Sequence, residues 1–425
     1  MNASTIFQPG KLRGRISVPG DKSISHRALI ITASTSQSVE IRNLNPGADV
    51  RATANALRAL GADVQIDSNL ARVRGGELHD ANATLDCANS GSTARMMMGV
   101  CAGANVHAVF DGDLSLGKRP MEPVAAQLRA FGARIETTDG KLPATVQGTA
   151  DPETHNFILL SPSAQIKSAL LFAGLFGNVP ITITGDKGSR DHTERLLQYL
   201  GADLTFDRER IELKEGPKQF SSLEIAGDFS AAAFFIVAAT ITPGSEIEIM
   251  GVGVNPSRTG LLDALQSMGA RIELRNQREL CGEPIADILV RSAWLHGTRV
   301  SGTMALRGID EIVVLAVAAA FAQGETRISG VRELRAKESD RLAAIARLMD
   351  VVDTPIETTT DGVLISGGKP QLNGSAIATE GDHRTAMAAA VLAAATGPVA
   401  IDESQSIAVS FPEFTRTLRA AQTVR

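Results

Sequence analysis

Two short stretches of the chain set cations and carboxylates at spacings that could grip an anionic substrate and move a proton on it. Lys22, Ser23 and Arg27 fall within about one and a half helical turns. Lys337, Glu338 and Arg341 have the same kind of spacing, with Arg341 at i+4 from Lys337, which predicts a helix with those two on one face. Arg119 and Arg384 add fork-shaped donors suited to bidentate grips on phosphate or carboxylate. Asp310 and Glu338 are carboxylates in a basic neighbourhood, so they are candidates for proton transfer.

Each segment also has a plainer reading. Lys22-Ser23 fits a helix cap beside a solvated charge, and residues 337–341 fit an ordinary charged helix face. Lys22 does not close a Walker A loop, because Asp21 separates it from Gly20. His26 reads as packing or bonding near a cap, and His383 leaves both roles open. His192, within Asp191-His192-Thr193-Glu194-Arg195, reads as a solvated helix start. Gly251-Val252-Gly253 reads as a turn, and Asp228 as a helix cap where the domains cross over.

Composition narrows the setting. With 425 residues, the chain has room for two domains or a little more, and 44% hydrophobic residues supply their cores. A net charge of −5, from 42 basic and 47 acidic residues, argues against bulk binding to nucleic acid or an acidic membrane. An anion site must then be a local cluster. Three cysteines (Cys87, Cys101, Cys281) without metal-ligand spacing fit a reducing compartment, with Cys101 as core. Residues 1–10 lack a signal pattern, and the longest apolar run, 312–322, is well short of the ~20 residues of a membrane span. The expectation is a cytosolic protein.

The elements that would carry these residues repeat. An amphipathic helix ending in Gly-Ala occurs at 57–64, 128–135, 197–204 and 265–272. A degenerate copy at 345–352 has Met349 in place of the glycine, and a sixth closes the chain at 414–421. Val124, Leu128 and Phe131 form one apolar stripe, and the glycine that follows suits a left-handed helix end. Between these copies lie six helices apolar on nearly every face, hence interior. They open at Asp21-Lys22-Ser23, Asn89-Ser90-Gly91-Ser92, Ser163-Ala164-Gln165, Asp228-Phe229-Ser230, Asp310-Glu311 and Asp382-His383-Arg384, which predicts side-chain caps. Helix N-termini attract anions, so convergence of these six would build an electropositive site on an acidic protein. Three units closing around three buried helices make one domain, and six make two, with a boundary near residue 226.

At these residues the sequence resembles the 5-enolpyruvylshikimate 3-phosphate synthase family. Pro19-Gly20-Asp21-Lys22-Ser23-Ile24-Ser25-His26-Arg27 is similar to its N-terminal signature, and Asn89-Ser90-Gly91-Ser92-Thr93-Ala94-Arg95 to its phosphoenolpyruvate segment. Arg119-Pro120-Met121, residues 163–168, residues 334–341 and Asp382-His383-Arg384 resemble further motifs, in family order along almost the whole chain.

The resemblance implies an α/β (α+β) enolpyruvyl transferase fold of two domains. Each would hold three βαββαβ units around buried parallel helices, an inside-out barrel. The domains would be 15–226, and 1–14 with 227–425, with the active site in the cleft between them. It implies transfer of the enolpyruvyl group of phosphoenolpyruvate to the 5-hydroxyl of shikimate 3-phosphate, with release of phosphate, on the route to chorismate and aromatic amino acids. It assigns Lys22, Ser23, Arg27, Ser163, Ala164 (backbone), Gln165, Ser189, Arg190, Asp310, Glu333 and Lys337 to shikimate 3-phosphate. It assigns Lys22, Asn89, Gly91, Arg119, Gln165, Arg341, His383 and Arg384 to phosphoenolpyruvate. Some relatives have Asn where Glu333 stands. The catalytic groups would be Asp310 as base, and Glu338 or Lys22 as acid toward the methylene carbon. No metal or organic cofactor is expected, the only partners are the two small substrates, and the family suggests a monomer.

There are departures from the family pattern. Val409 stands where many relatives have Lys, which removes one phosphoenolpyruvate contact, and Ala164 and Thr385 differ from the commonest residues. Gly91, rather than Ala, leaves room beside phosphoenolpyruvate and predicts sensitivity to glyphosate. The related UDP-N-acetylglucosamine enolpyruvyl transferases carry a Cys-containing loop before an Arg-Pro, and residues 111–119 contain no Cys. A non-enzymatic anion-binding repeat protein would not need Asp310 and Glu338 among its cations.

Overall fold

The computed structural model describes residues 5–423 apart from 153–155, 186–187, 208, 219 and 375. The chain divides into two compact units. The first comprises Gly20–Ala226 with Glu279–Glu283, and the second comprises Met1–Pro19, Gly227–Arg278 and Pro284–Arg425. The strand Lys11–Ser17 is continuous within the second unit, so the chain crosses after Pro19 rather than at residue 15.

The first unit holds six helices, α1 (Lys22–Thr32), α2 (Ala48–Ala59), α3 (Gly91–Gly103), α4 (Glu122–Phe131), α5 (Ala164–Gly177) and α6 (His192–Tyr199). Three four-stranded sheets surround α1, α3 and α5. In the middle repeat, Leu85–Asp86 runs parallel to His107–Asp111, with α3 as the crossover that parallel neighbours require. After α4, the hairpin of Arg134–Thr138 and Lys141–Gln147 completes the sheet antiparallel. The repeat therefore runs β-α-β-α-β-β. Its helices are separated by one strand and then three, which differs from the βαββαβ order that the resemblance implied. In the first sheet the leading strand is Ser222–Glu224, from the far end of the unit, parallel to Val39–Arg42. The ring of three repeats closes there.

The second unit repeats the scheme with α7 (Phe229–Ile241), α8 (Gly260–Ser267), a short α9 (Gly302–Arg307), α10 (Ile312–Phe321), α11 (Arg341–Asp350), α12 (His383–Thr396) and α13 (Phe414–Ala421). Lys11–Ser17 takes the leading place beside Glu246–Gly253. Thr5–Phe7 pairs antiparallel with Val399–Ile401 and so supplies a strand that the last repeat lacks. Every residue of α7 is buried, as its apolar circumference requires. Rings of Phe234, Phe235, Phe411 and Phe414 meet edge-on or tilted at 5.6–6.2 Å and hold α13 to α7. Each such pair contributes roughly 0.5–1.5 kcal/mol beyond its buried area.

The helix punctuation follows the residues. Gly61, Gly132, Gly201 and Gly269 take φ of 102°, 116°, 79° and 94° after the amphipathic helices. Where Met349 replaces the glycine, α11 ends at Asp350 and the left-handed residue is Asp353, with φ 48°. Five of the six expected caps form: Asp21, Ser90, Ser163, Asp228 and Asp382 each accept backbone N–H bonds in the first turn. The sixth does not. Ile309–Glu311 is a 3-10 turn leading into α10, and neither Asp310 nor Glu311 caps the helix. Their carboxylates face arginines instead.

Candidate active site

Each unit carries its own polar cluster at the starts of its buried helices. In the first unit, Lys22 on α1 pairs with Asp49 on α2 at 2.6 Å. Arg27, one turn further along, is buried and spans from α1 to α5 and α6. Its Nε donates to Thr193 Oγ1 at 2.7 Å, one terminal nitrogen donates to the Ser23 carbonyl at 2.8 Å, and the other donates to Ser168 Oγ at 2.8 Å. Burial draws this guanidinium down to about 10, against the pull of Glu194 and Asp21, so it stays charged at neutral pH.

Gln165 on α5 reaches α3. Its Nε2 donates to Ser92 Oγ at 3.0 Å, and its Oε1 accepts from Arg95 at 2.7 Å. Arg119, after the 3-10 turn Leu116–Lys118, is aimed by Asn89: it donates to the Asn89 carbonyl at 3.1 Å and to Oδ1 at 2.5 Å. Asn89 in turn donates to Asp113 at 2.7 Å, so its own contacts position Arg119. A Cβ at Gly91 would lie 2.7 Å from an Arg95 nitrogen and 3.6 Å from one of Arg119. The open face of Gly91 therefore looks onto two guanidiniums.

His26 is buried and contacts Thr53 Oγ1 at 2.7 Å, while Thr53 contacts Thr93 at 2.7 Å, tying α1 to α2 and α3. Burial, then Lys22 and Arg27, hold its imidazole well below its ordinary value, which fits the structural reading. Ser189 and Arg190 precede α6, and the Ser189 carbonyl lies 3.5 Å from Lys167 Nζ. His192 departs from the expectation of a solvated start. It is buried, with Nδ1 2.7 Å from Glu283 Oε1 in the segment Glu279–Glu283.

In the second unit the cluster is built on Arg341, which is 1% exposed. Its Nε donates to Asp382 Oδ2 at 2.9 Å, NH2 donates to Glu338 Oε2 at 2.6 Å, and NH1 lies 3.7 Å from Asp310 Oδ1. Arg384 NH1 donates to the Asp310 carbonyl at 2.7 Å, and NH2 lies 3.8 Å from Oδ2. Arg258 reaches Asp310 Oδ2 at 3.9 Å and Glu311 at 3.5 Å, and donates to Ser230 Oγ at 2.6 Å. Ser230 donates in turn to Glu311. The starts of α7, α10 and α12 are thus laced together around Asp310. Asp382, Glu338 and Asp310 hold the Arg341 proton more firmly than usual even though burial opposes it.

Lys337 falls elsewhere than its spacing implied. Residues 337–340 form a turn between the 3-10 segment Arg332–Ala336 and α11, with Asp340 as cap, so Lys337 and Arg341 share no helix face. Lys337 pairs with Glu333 at 3.2 Å. His383 is buried at the first position of α12, and Val409 lies in the 3-10 turn Ser404–Val409.

Sequence reasoning missed Ser92, Arg95, Lys167, Thr193 and Glu194 in the first cluster, and Arg258, Glu311 and Asp382 as ion-pair members in the second. Arg95 left a local signal, one helical turn beyond Gly91. Among the described residues no group of three or more His, Cys, Asp or Glu could hold a metal ion, and no helix is long and apolar enough to cross a membrane.

The family model described as EPSP synthase (3-phosphoshikimate 1-carboxyvinyltransferase) matches residues 6–418. A curated protein of Gloeobacter violaceus named 3-phosphoshikimate 1-carboxyvinyltransferase is 44% identical over 422 residues, 97% of this chain and 97% of its own. One of Herpetosiphon aurantiacus with the same name is 43% identical over 420 residues, 96% of this chain and 97% of its own. The solved EPSP synthase of Acinetobacter baumannii is similar at a TM-score of 0.86 and 35% identity, covering 99% of this chain and 98% of that one. The enolpyruvyl transferase NikO of Streptomyces tendae is similar in fold, with a TM-score of 0.78 at 17% identity, over 99% of this chain and 98% of its own.

Proposed function

The chain belongs to the EPSP synthase family, and we propose that it transfers the enolpyruvyl group of phosphoenolpyruvate to the 5-hydroxyl of shikimate 3-phosphate, releasing phosphate. This is a step of the shikimate pathway toward chorismate. The two units act as the two domains.

The observation that best supports the residue roles is a shared arginine. Asp310 lies 3.7 Å and Glu338 2.6 Å from the two terminal nitrogens of Arg341. A base, an acid and an anion grip therefore stand on one small set of atoms. In the addition half, the 5-hydroxyl oxygen bonds to the central carbon of phosphoenolpyruvate while its proton passes to Asp310. The methylene carbon gains a proton from Glu338, with Lys22 as the rival donor. In the elimination half the roles reverse: phosphate leaves the tetrahedral carbon with the proton that Asp310 took up, and the new methyl group returns a proton to the group that supplied it, which restores the double bond. Arg119, Arg341 and Arg384 stabilise the anionic charge along this path.

Lys22, Ser23, Arg27, Ser163, Gln165, Ser189, Arg190, Asp310, Glu333 and Lys337, with the Ala164 backbone, bind shikimate 3-phosphate. Lys22, Gly91, Arg119, Gln165, Arg341 and Arg384 bind phosphoenolpyruvate. Asn89 serves that site through Arg119, and His383 through the first turn of α12. The chain works as a cytosolic monomer without metal or organic cofactor. Light scattering at the 44.7 kDa of one chain, and activity retained in chelator, test those two statements.

The deciding experiment measures phosphate release with each substrate alone, with both, and with UDP-N-acetylglucosamine as acceptor. Release is expected only with phosphoenolpyruvate and shikimate 3-phosphate together. Release with the sugar nucleotide, or none at all, overturns the reading.

A further inference from the structure

The first turn of α6 carries three consecutive buried polar residues, His192, Thr193 and Glu194, to which the reaction above gives no part. Thr193 Oγ1 accepts from Arg27 Nε at 2.7 Å. Ser168 Oγ accepts from Arg27 NH2 at 2.8 Å and donates its own proton to the Ala164 carbonyl at 2.6 Å. With that proton committed, Thr193 is the donor in the 2.7 Å contact between the two hydroxyls. Every hydrogen in the ring of Arg27, Thr193 and Ser168 then has one direction.

All the bonds of Arg27 among the described residues go to uncharged oxygens, those of Thr193, Ser168, Ser23 and Ala164. A buried guanidinium set on neutral oxygens keeps its charge for an anion, and one of its five N–H groups, on NH1, is left over. The turn that supplies Thr193 is clamped on both sides. Glu194 takes Lys167 Nζ at 2.6 Å, with both side chains buried, and His192 takes Glu283 at 2.7 Å. These pairs hold the backbone that carries Thr193, and the contacts with Arg27 and Ser168 keep its hydroxyl beside the guanidinium.

We infer that Thr193 and Ser168 are positioning residues that fix the plane of Arg27 and so set the affinity for the phosphorylated acceptor. Neither touches substrate, and the inference rests on the assignment of Arg27 to shikimate 3-phosphate made above.

The test uses the full chain and compares Thr193→Val, Thr193→Ser and Ser168→Ala in steady state, with calorimetric binding of shikimate 3-phosphate. Thr193→Val, close in shape but without the hydroxyl, should raise KM for shikimate 3-phosphate on the order of tenfold, the scale of a lost charge-assisted hydrogen bond. KM for phosphoenolpyruvate and kcat should stay within about twofold. Thr193→Ser should restore the wild-type constants. Ser168→Ala should raise the same KM by roughly threefold or more, and it decides alone if Thr193→Val does not fold.

A folded variant with unchanged KM for shikimate 3-phosphate overturns the positioning roles. So does a rise shared equally by both substrates, or a fall confined to kcat. If the wild-type chain releases no phosphate from the two substrates, the underlying assignment fails and this inference falls with it.

Discussion

Arg341 and Asp382 form a buried ion pair of 2.9 Å at the start of α12, and the same carboxylate receives the Arg384 amide at 2.9 Å and the Ser339 hydroxyl at 3.1 Å. Burial alone would push Asp382 up, but the charge and hydrogen bond of Arg341 hold it below its ordinary 3.8. A carboxylate that gains protons less readily when folded than when unfolded adds stability at every pH above its unfolded value. That contribution is lost as pH falls through the lower, folded value.

Wild-type stability should therefore drop steeply only below about pH 4 on account of this group. Asp382→Asn leaves Arg341 without its most deeply buried anion and should cost about 3 kcal/mol at neutral pH. It should also flatten part of the acid slope. Denaturant midpoints from pH 7 down to pH 3 check both, and equal acid slopes for the two proteins would contradict the account.

Gly91 presents its open side to Arg95 and Arg119, and an added methyl would lie 2.7 Å from the end of the Arg95 side chain. That end can shift, so Gly91→Ala should fold with near-normal stability. The shifted guanidinium and the methyl both intrude where phosphoenolpyruvate is assigned. KM for phosphoenolpyruvate should rise several-fold, with KM for shikimate 3-phosphate nearly unchanged. Wild-type turnover should be inhibited by glyphosate below millimolar concentrations, and the variant should resist it. Inhibition titrations on both proteins are the measurement, and equal sensitivity would remove Gly91 from the site.

What was readable in the sequence was local. Ser90, Ser163 and Asp382 cap helices within their own first turns, and Gly132 ends one beside its last turn, so short windows contained both partners. The family resemblance was likewise carried by contiguous motifs, and it is borne out. The failures involve distant partners. His192 looked solvated because Glu283, which buries it, lies 91 positions later. Arg258 gave no signal because Ser230, Glu311 and Asp310 reach it from other helices. Asp310 and Glu311 looked like a cap, but a 3-10 turn rotates them toward arginines. Nor could spacing reveal that residues 337–340 break the helix between Lys337 and Arg341.

Asp310 meets Arg258, Arg341 and Arg384 at 3.7–3.9 Å, with its carboxylate 15% exposed. Asp310→Asn keeps the shape and removes the basic oxygen. Turnover should fall by about 10²–10⁴, the usual range for a lost general base. Calorimetric affinity for shikimate 3-phosphate should survive within several-fold, because the cations that grip the anion remain. Near-normal turnover would take the base role from this residue.

Gly99 and Gly103 lie one turn apart on α3 and face the backbone of α5. A Cβ on Gly99 would come within 2.1 Å of the Ala169 carbonyl oxygen, and one on Gly103 within 2.1 Å of that of Ala173. Backbone cannot step aside as a side-chain end can, so α3 and α5 would have to separate. Alanine is the better helix former by about 1 kcal/mol, which favours Gly99→Ala. Overpacking costs about 1–3 kcal/mol and acts here on two helices at once, so the net change should be destabilising, and Gly99→Val should be worse. The separation would also pull on the contacts that Gln165 makes with Ser92 at 3.0 Å and Arg95 at 2.7 Å, so KM for phosphoenolpyruvate should rise with the loss of stability. Gly117 is the control, because a Cβ there meets nothing within 4 Å, and Gly117→Ala should change stability by less than ~0.5 kcal/mol. Chemical denaturation of the three variants measures the order, and a Gly99→Ala protein as stable as wild type would mean that the two helices are not held at glycine distance.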